Sequence, residues 1–214
     1  MYILNKELFF PPIKFAGEDG MFAIGGDLST ERLLLAYRSG IFPWYNEGEP
    51  ICWYCPDPRF VLFPAELDIS KSMNTVINSD RFSFTVNKAF DEVIKNCKTV
   101  YRKGQPGTWI SDEIIEAYSQ LHAQGYAHSA EAWSNDELVG GLYGIRMGKV
   151  FFGESMFNKQ SNASKFAFIK YVQYLKKQDV QLIDCQVYTS HLQSFGAKMI
   201  ERDYFLQLLN GLIN

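Results

Sequence analysis

Two short stretches carry residue types that chemistry can use. In Val150-Phe-Phe-Gly-Glu-Ser-Met-Phe157, Glu154 is the one charged residue in an apolar run. A carboxylate there is costly unless it is paired or bound to something. A strand-end acid in water or in an ion pair explains the pattern as well as a functional carboxylate does. The second stretch is Ile183-Asp184-Cys185-Gln186. Side chains at i and i+2 share one face of a strand. Asp184 and Gln186 are therefore expected to project together, offering an acid and an amide toward one reacting centre. From these four residues alone, an Asp capping the next helix beside a solvated Gln is the favoured reading.

Other chemical constellations are weak. Cys52-Trp-Tyr-Cys55 has metal-ligand spacing, but no second pair follows, and four ligands are normally needed. His122, His128 and His191 are scattered and read as packed or surface groups. The chain has no nucleophile elbow, phosphate-binding P-loop or HExxH motif. Trp44, Trp53 and Trp109 lie in or beside Gly/Pro-rich loops, where core packing competes with stacking on a base. Lys71, Arg81, Arg102, Lys103 and Lys165 are possible phosphate contacts, each also explicable as a solvated charge.

The elements that must position these residues follow from periodicity. Leu138–Met147 and Val150–Phe157, joined by Gly148-Lys149, predict a β-hairpin. Its glycines at 140, 141, 144 and 153 allow close approach of other backbone. Ser29 is expected to cap a helix ending near Arg38, Asn87 one carrying Phe90 and Val93, and Ser111 one carrying Ile114 and Tyr118. Ser161 or Asn162 starts a helix reaching about Lys177, and residues 181–187 form a strand. Residues 1–28 read as extended and loop-rich, 98–108 as a polar loop. The order predicts an α/β (α+β) chain: a small N-terminal domain, 1–65, and a larger acyltransferase-like sheet domain, 66–214, with helices on its faces. That fold, when it uses acetyl-CoA, places a glycine-rich loop before the helix after its central strand. Here the loop is Phe157-Asn-Lys-Gln-Ser-Asn-Ala163, without glycine, which argues against CoA.

Composition narrows the class. The 214 residues are 47% hydrophobic and 15% aromatic, enough for a sizeable core and not for disorder. Net charge is −3, so any nucleic-acid contact must be a local patch. No apolar run reaches membrane-span length, and the N-terminus lacks a signal-peptide pattern. A cytoplasmic protein without a membrane partner is expected.

The blocks of sequence resemble one family, the bacterial leucyl/phenylalanyl-tRNA–protein transferases. The resemblance runs through Gly25-Gly-Asp-Leu-Ser29, Tyr37-Arg-Ser-Gly-Ile-Phe-Pro-Trp44, Pro56-Asp-Pro-Arg59 and Gly107-Thr-Trp-Ile110. It continues through Leu138-Val-Gly-Gly141, Gly153-Glu-Ser-Met-Phe157, Asn162-Ala-Ser-Lys165 and Ile183-Asp-Cys-Gln186. This chain departs from the family's usual Trp-Trp-Ser at Trp53-Tyr54-Cys55. The resemblance implies transfer of Leu or Phe, and Met weakly, from aminoacyl-tRNA to an N-terminal Arg or Lys of a protein, marking it for N-end-rule degradation. It implies no cofactor and no metal, and a monomer is expected. By resemblance, Asp184 and Gln186 relay the amine's proton, and Glu154 helps place donor and relay. Leu142, Phe151, Met156, Phe168, Tyr171, Leu175 and Ile183 match the side-chain pocket. Trp53 and Trp109 match aromatics near the terminal adenosine, and Tyr118 joins the binding set. A CoA-dependent N-acyltransferase and a non-catalytic RNA-end binding module are the competing readings.

Overall fold

The structure is a computed structural model that describes residues 1–17, 19–99 and 108–213. The strands are β1 (Tyr2–Leu4), β2 (Met21–Gly25), β3 (Phe42–Pro43), β4 (Cys52–Tyr54), β5 (Arg59–Leu62), β6 (Ser83–Val86), β7 (Ala127–Ser134), β8 (Glu137–Met147), β9 (Val150–Asn158), β10 (Leu182–Gln186) and β11 (Lys198–Ile200). The helices are α1 (Thr30–Arg38), α2 (Lys71–Ile77), α3 (Phe90–Thr99), α4 (Asp112–Ala123), α5 (Ala163–Lys177), α6 (Ser190–Gln193) and α7 (Arg202–Ile213).

Two sheets result, ordered β1-β2-β4-β3 and β11-β5-β10-β9-β8-β7-β6. The architecture is mixed α/β, as the element order predicts. Among the described strands of the larger sheet, only β9 and β10 run parallel. One face carries a core built from α1, α3, α4, α7 and the smaller sheet. The other carries a core built around α5.

Local rules account for most elements. Ser29, Ser70 and Ser111 each accept a backbone N–H at the start of a helix, satisfying a donor that has no partner within it. Gly40 closes α1 at φ +73, where its missing Cβ also leaves room for Leu206. Gly140 lets the first turn of α5 rest on β8, since a Cβ there would lie 2.6 Å from that of Ala163. The hairpin β8–β9 forms with Gly148-Lys149 as its turn.

Three expectations need correction. Residues 1–28 are not all loop: β1 and β2 pair in parallel, and the guanidinium of Arg32 ties the segment down through the carbonyls of Asn5 and Glu7, both at 2.9 Å. Asn87 does not cap α3 with its side chain. It accepts from Ser129 N, and the carboxylate of Glu131 receives Ala89 N–H instead. A division after residue 65 leaves β5 with the smaller unit, whereas β5 pairs with β10 and β11 in the larger sheet. The fully buried run Arg59–Leu62, apolar after its first residue, fits a central strand, and the change of sheet falls between β4 and β5. The expected polar loop at 98–108, with Arg102 and Lys103, lies largely outside the described residues.

Candidate active site

The site opens where two parallel strands part. β10 pairs with β9 only as far as Asp184, opposite Phe152, while β9 runs on to Asn158 beside β8. A cavity of about 390 Å³ fills the gap. That volume lies in the range of small-ligand pockets. Phe151, Leu142, Met156, Phe168 and Ile183 form its apolar wall, and Phe42, Pro43, Trp44 and Trp109 line another part of it.

Both site strands are bulged at the residues that matter. Along β9, Gly153 pairs with Gly144 and Ser155 with Tyr143, so Glu154 is an extra residue with no partner across the ladder. Along β10 the register slips between Asp184 and Gln186, and Gln186 sits at φ +64. Bulges re-aim side chains beside functional sites, and positive φ in a non-glycine residue is a strain that functional sites retain.

The bulge on β10 separates the pair that strand alternation joins. Asp184 is fully buried and does not line the cavity. Its oxygens take Arg59 Nε at 2.8 Å and Nη2 at 2.6 Å, and Oδ1 also accepts Gln186 N–H at 2.9 Å. The Arg59 guanidinium lies between the rings of Phe42 and Phe205, 4.8 and 4.7 Å from their centroids. Asp184 is thus locked in a bidentate buried ion pair, and the expectation that it faces the reacting centre fails.

Gln186 turns the other way. Its Nε2 donates to Glu154 Oε1 at 2.9 Å. Its side-chain oxygen has no partner among the described residues and belongs to a side chain on the cavity wall. Among the described residues, Glu154 is the only carboxylate lining the cavity. Tyr37 Oη on α1 hydrogen-bonds with its Oε1 at 2.8 Å and Tyr118 Oη on α4 with its Oε2 at 3.2 Å, while the two phenols hydrogen-bond to one another. Burial pushes the Glu154 carboxyl up to about 7, with the negative charge of Asp184 adding to the shift and the Gln186 N–H opposing it.

The other expected residues divide. Leu142, Phe151, Met156, Phe168, Ile183 and Trp109 line the cavity. Tyr171 and Leu175 stand behind the wall: Tyr171 packs edge-on to Phe151 at 5.0 Å, and Leu175 is fully buried in the α5 core. Tyr118 reaches the site only through Glu154. Trp53 does not reach it at all. It is fully buried in the smaller sheet, edge-on to Phe10, with its indole N–H on Gly25 O at 2.8 Å. The exposed indole at the cavity is that of Trp44. Tyr37 and Arg59 were also not singled out by sequence pattern. Tyr37 shares an apolar helix face and Arg59 follows a Pro-Asp-Pro turn, and neither position signals a partner 117 or 125 residues away. All four cysteines are free thiols, and burial pushes Cys55 up to about 11. No group of three metal-ligating side chains occurs among the described residues, and none of their helices is long and apolar enough to cross a membrane.

Comparison with known proteins gives a consistent result. Residues 61–210 match the family described as leucyl/phenylalanyl-tRNA protein transferase, and residues 26–57 match that family's N-terminal domain. A leucyl/phenylalanyl-tRNA–protein transferase of Flavobacterium johnsoniae is 61% identical over 211 residues, covering 99% of this chain and 100% of the relative. That of Christiangramia forsetii is 57% identical, covering 98% and 100%. That of Syntrophobacter fumaroxidans is 55% identical, covering 98% and 89%. Among solved structures, L-PGS from Bacillus licheniformis shows a TM-score of 0.43 at 14% identity, covering 81% of this chain and 57% of that one. That likeness is loose, and the family assignment does not depend on it.

Proposed function

The chain belongs to the leucyl/phenylalanyl-tRNA–protein transferase family, and we propose that the cavity between β9 and β10 is where an aminoacyl group leaves the 3′ end of tRNA for the α-amine of a protein. The protein is an aminoacyltransferase. Its donors are Leu and Phe, with Met weaker; its acceptors begin with Arg or Lys, and the product is marked for N-end-rule degradation. The acceptor rule is carried from the family. Charged tRNA as donor sets the reaction in the cytoplasm.

The chemistry needs no covalent enzyme intermediate, because an aminoacyl ester is already activated. The amine nitrogen attacks the ester carbonyl carbon, a C–N bond forms, and the bond from that carbon to the ribose 3′-oxygen breaks. The amine gives up a proton and the 3′-oxygen takes one. Holding the two substrates in register can supply up to ~7–11 kcal/mol. The apolar wall from Leu142 to Ile183 receives the Leu or Phe side chain, and Trp44 and Trp109 stack on the terminal adenosine. The side-chain oxygen of Gln186 accepts an N–H of the attacking amine. Glu154 passes protons between amine and 3′-oxygen, with a pKa near the operating pH. Asp184 and Arg59 hold Gln186 in its strained conformation and touch neither substrate.

The observation that carries this reading is the Glu154–Gln186 contact on the wall of an otherwise apolar cavity. Incubation with Leu-tRNA or Phe-tRNA and a peptide starting with Arg tests it by mass spectrometry. A peptide longer by one Leu or Phe is expected. No extension from either tRNA, or acetylation by acetyl-CoA in its place, refutes it.

A further inference from the structure

Glu154, Tyr37 and Tyr118 make three mutual hydrogen bonds, and the protons do not add up for an ionised carboxyl. Each bond needs one proton between its two oxygens. Tyr37 and Tyr118 own one each. The contacts are Tyr37 with Glu154 Oε1, Tyr118 with Glu154 Oε2, and Tyr37 with Tyr118. If Glu154 is ionised, both phenols donate to it, and the two phenol oxygens then face each other with no proton between them. If Glu154 is an acid, the ring closes: the carboxyl donates to Tyr118, Tyr118 to Tyr37, and Tyr37 back to Oε1. The Gln186 N–H on Oε1 fits either state.

We propose that Tyr37 and Tyr118 are positioning residues that hold Glu154 in its acid form in the free enzyme, so that the site stores one exchangeable proton. The phenols lie on different helices, α1 and α4, so the ring closes only where both meet β9. The surrounding groups agree with a neutral carboxyl. Asp184 on β10 repels a second negative charge, while the Arg59 guanidinium on β5 is already bound by Asp184. From β8, Tyr143 meets Tyr118 edge-on. His191, across the cavity, is kept neutral by burial and by Lys165. Both phenols titrate well above their ordinary value, burial being the main cause, so neither becomes a phenolate near neutral pH. Resting on the transferase reading, the stored proton is the one the 3′-oxygen takes as its bond to the carbonyl carbon breaks. The proton from the amine then refills the carboxyl, so no other reactant is consumed.

Infrared difference spectroscopy of the unliganded protein, labelled with ¹³C-carboxyl glutamate, tests the ring without any substrate. A protonated-carboxyl band is expected at pH 6, absent from Glu154→Gln, with a midpoint near 7 in the wild type. Tyr37→Phe and Tyr118→Phe each keep the aromatic ring and open the hydrogen-bonded one. The remaining phenol then donates to a carboxylate, so the midpoint falls by roughly one unit, about the worth of one hydrogen bond. Two phenols acting only as separate donors to a carboxylate give the opposite sign, because removing either raises the midpoint. A raised or unchanged midpoint in both variants, or no Glu154 band at pH 6, overturns the proposal. A downward shift in a protein that transfers nothing from charged tRNA keeps the ring and sinks the transferase reading.

Discussion

Asp184 and Glu154 stand on neighbouring strands within one site, and their surroundings differ at every point. Asp184 is fully buried against a guanidinium, with both oxygens fixed by charge-assisted bonds. Among the described residues Glu154 has only neutral hydrogen-bond partners; it lines the cavity, and burial pushes it up to about 7. The Asp184 oxygens are committed to the Arg59 guanidinium and do not line the cavity. A desolvated carboxyl among phenols and an amide, on the cavity wall, is placed to exchange a proton with a bound substrate. In the proposed reaction one acid serves structure and the other proton transfer, although a sequence shows two acids in similar apolar runs.

The largest expected effect separates them by stability. Asp184→Ala leaves Arg59 charged and unpaired in the core, and breaking such a pair costs ~3–5 kcal/mol. Urea unfolding should show that loss, and transfer should fall at least ~10²-fold as Gln186 loses its anchor. Glu154→Gln should unfold close to wild type. Equal losses in the two variants would erase the distinction.

The tryptophans extend the same comparison to the aromatic residues. Trp53→Ala empties a buried site and should cost ~3–5 kcal/mol of stability. Trp44→Ala and Trp109→Ala should leave unfolding nearly unchanged and weaken charged-tRNA binding by ~1–3 kcal/mol, the worth of a stacked base. Loss of tRNA affinity in a Trp53→Phe protein of normal stability would contradict this division.

How much was legible follows from these residues. The hairpin β8–β9 and the capped helices α1 and α4 were readable, because they rest on local periodicity and cap chemistry; the apolar wall was expected only through the family resemblance. The family was readable from its ordered blocks. The direction of Asp184 was not, because the bulge on β10 cancels the two-residue alternation that the argument used. Nor was the role of Trp53 against Trp44. Both lie in aromatic-rich turns, and only the pairing of β4 between β2 and β3 shows which indole is inside. Tyr37 and Arg59 are set by contacts more than a hundred residues away along the chain, which no local pattern carries.

Smaller effects sharpen the account of the cavity. Met156 is unbranched and adapts to a branched or a flat side chain. Met156→Ala should penalise Leu more than Phe as donor, within the ~1–3 kcal/mol that apolar pockets discriminate. Transfer rates from separately charged tRNAs measure it, and an equal loss for both would place Met156 away from the side chain. A further effect is on stability against pH. The folded pKa of Glu154, about 7, lies above the ~4.3 of a free glutamate, so its contribution is full below ~4.3 and is lost as pH rises through 7. Between pH 5 and 8, Glu154→Gln should therefore lose less thermal stability than wild type.

The central claim is that Glu154, and not Asp184, handles the proton. The most direct measurement is kcat/KM for a peptide starting with Arg, against pH, in wild type and Glu154→Gln. The reacting complex holds one proton shared between the carboxyl and an amine of pKa ~7.7–8. Wild type should give a bell with limbs near 7 and near 8. In Glu154→Gln the rate should drop ~10²–10⁴-fold, and the alkaline limb should vanish, leaving a single rise with the amine's own pKa. An unchanged bell in Glu154→Gln would contradict the account.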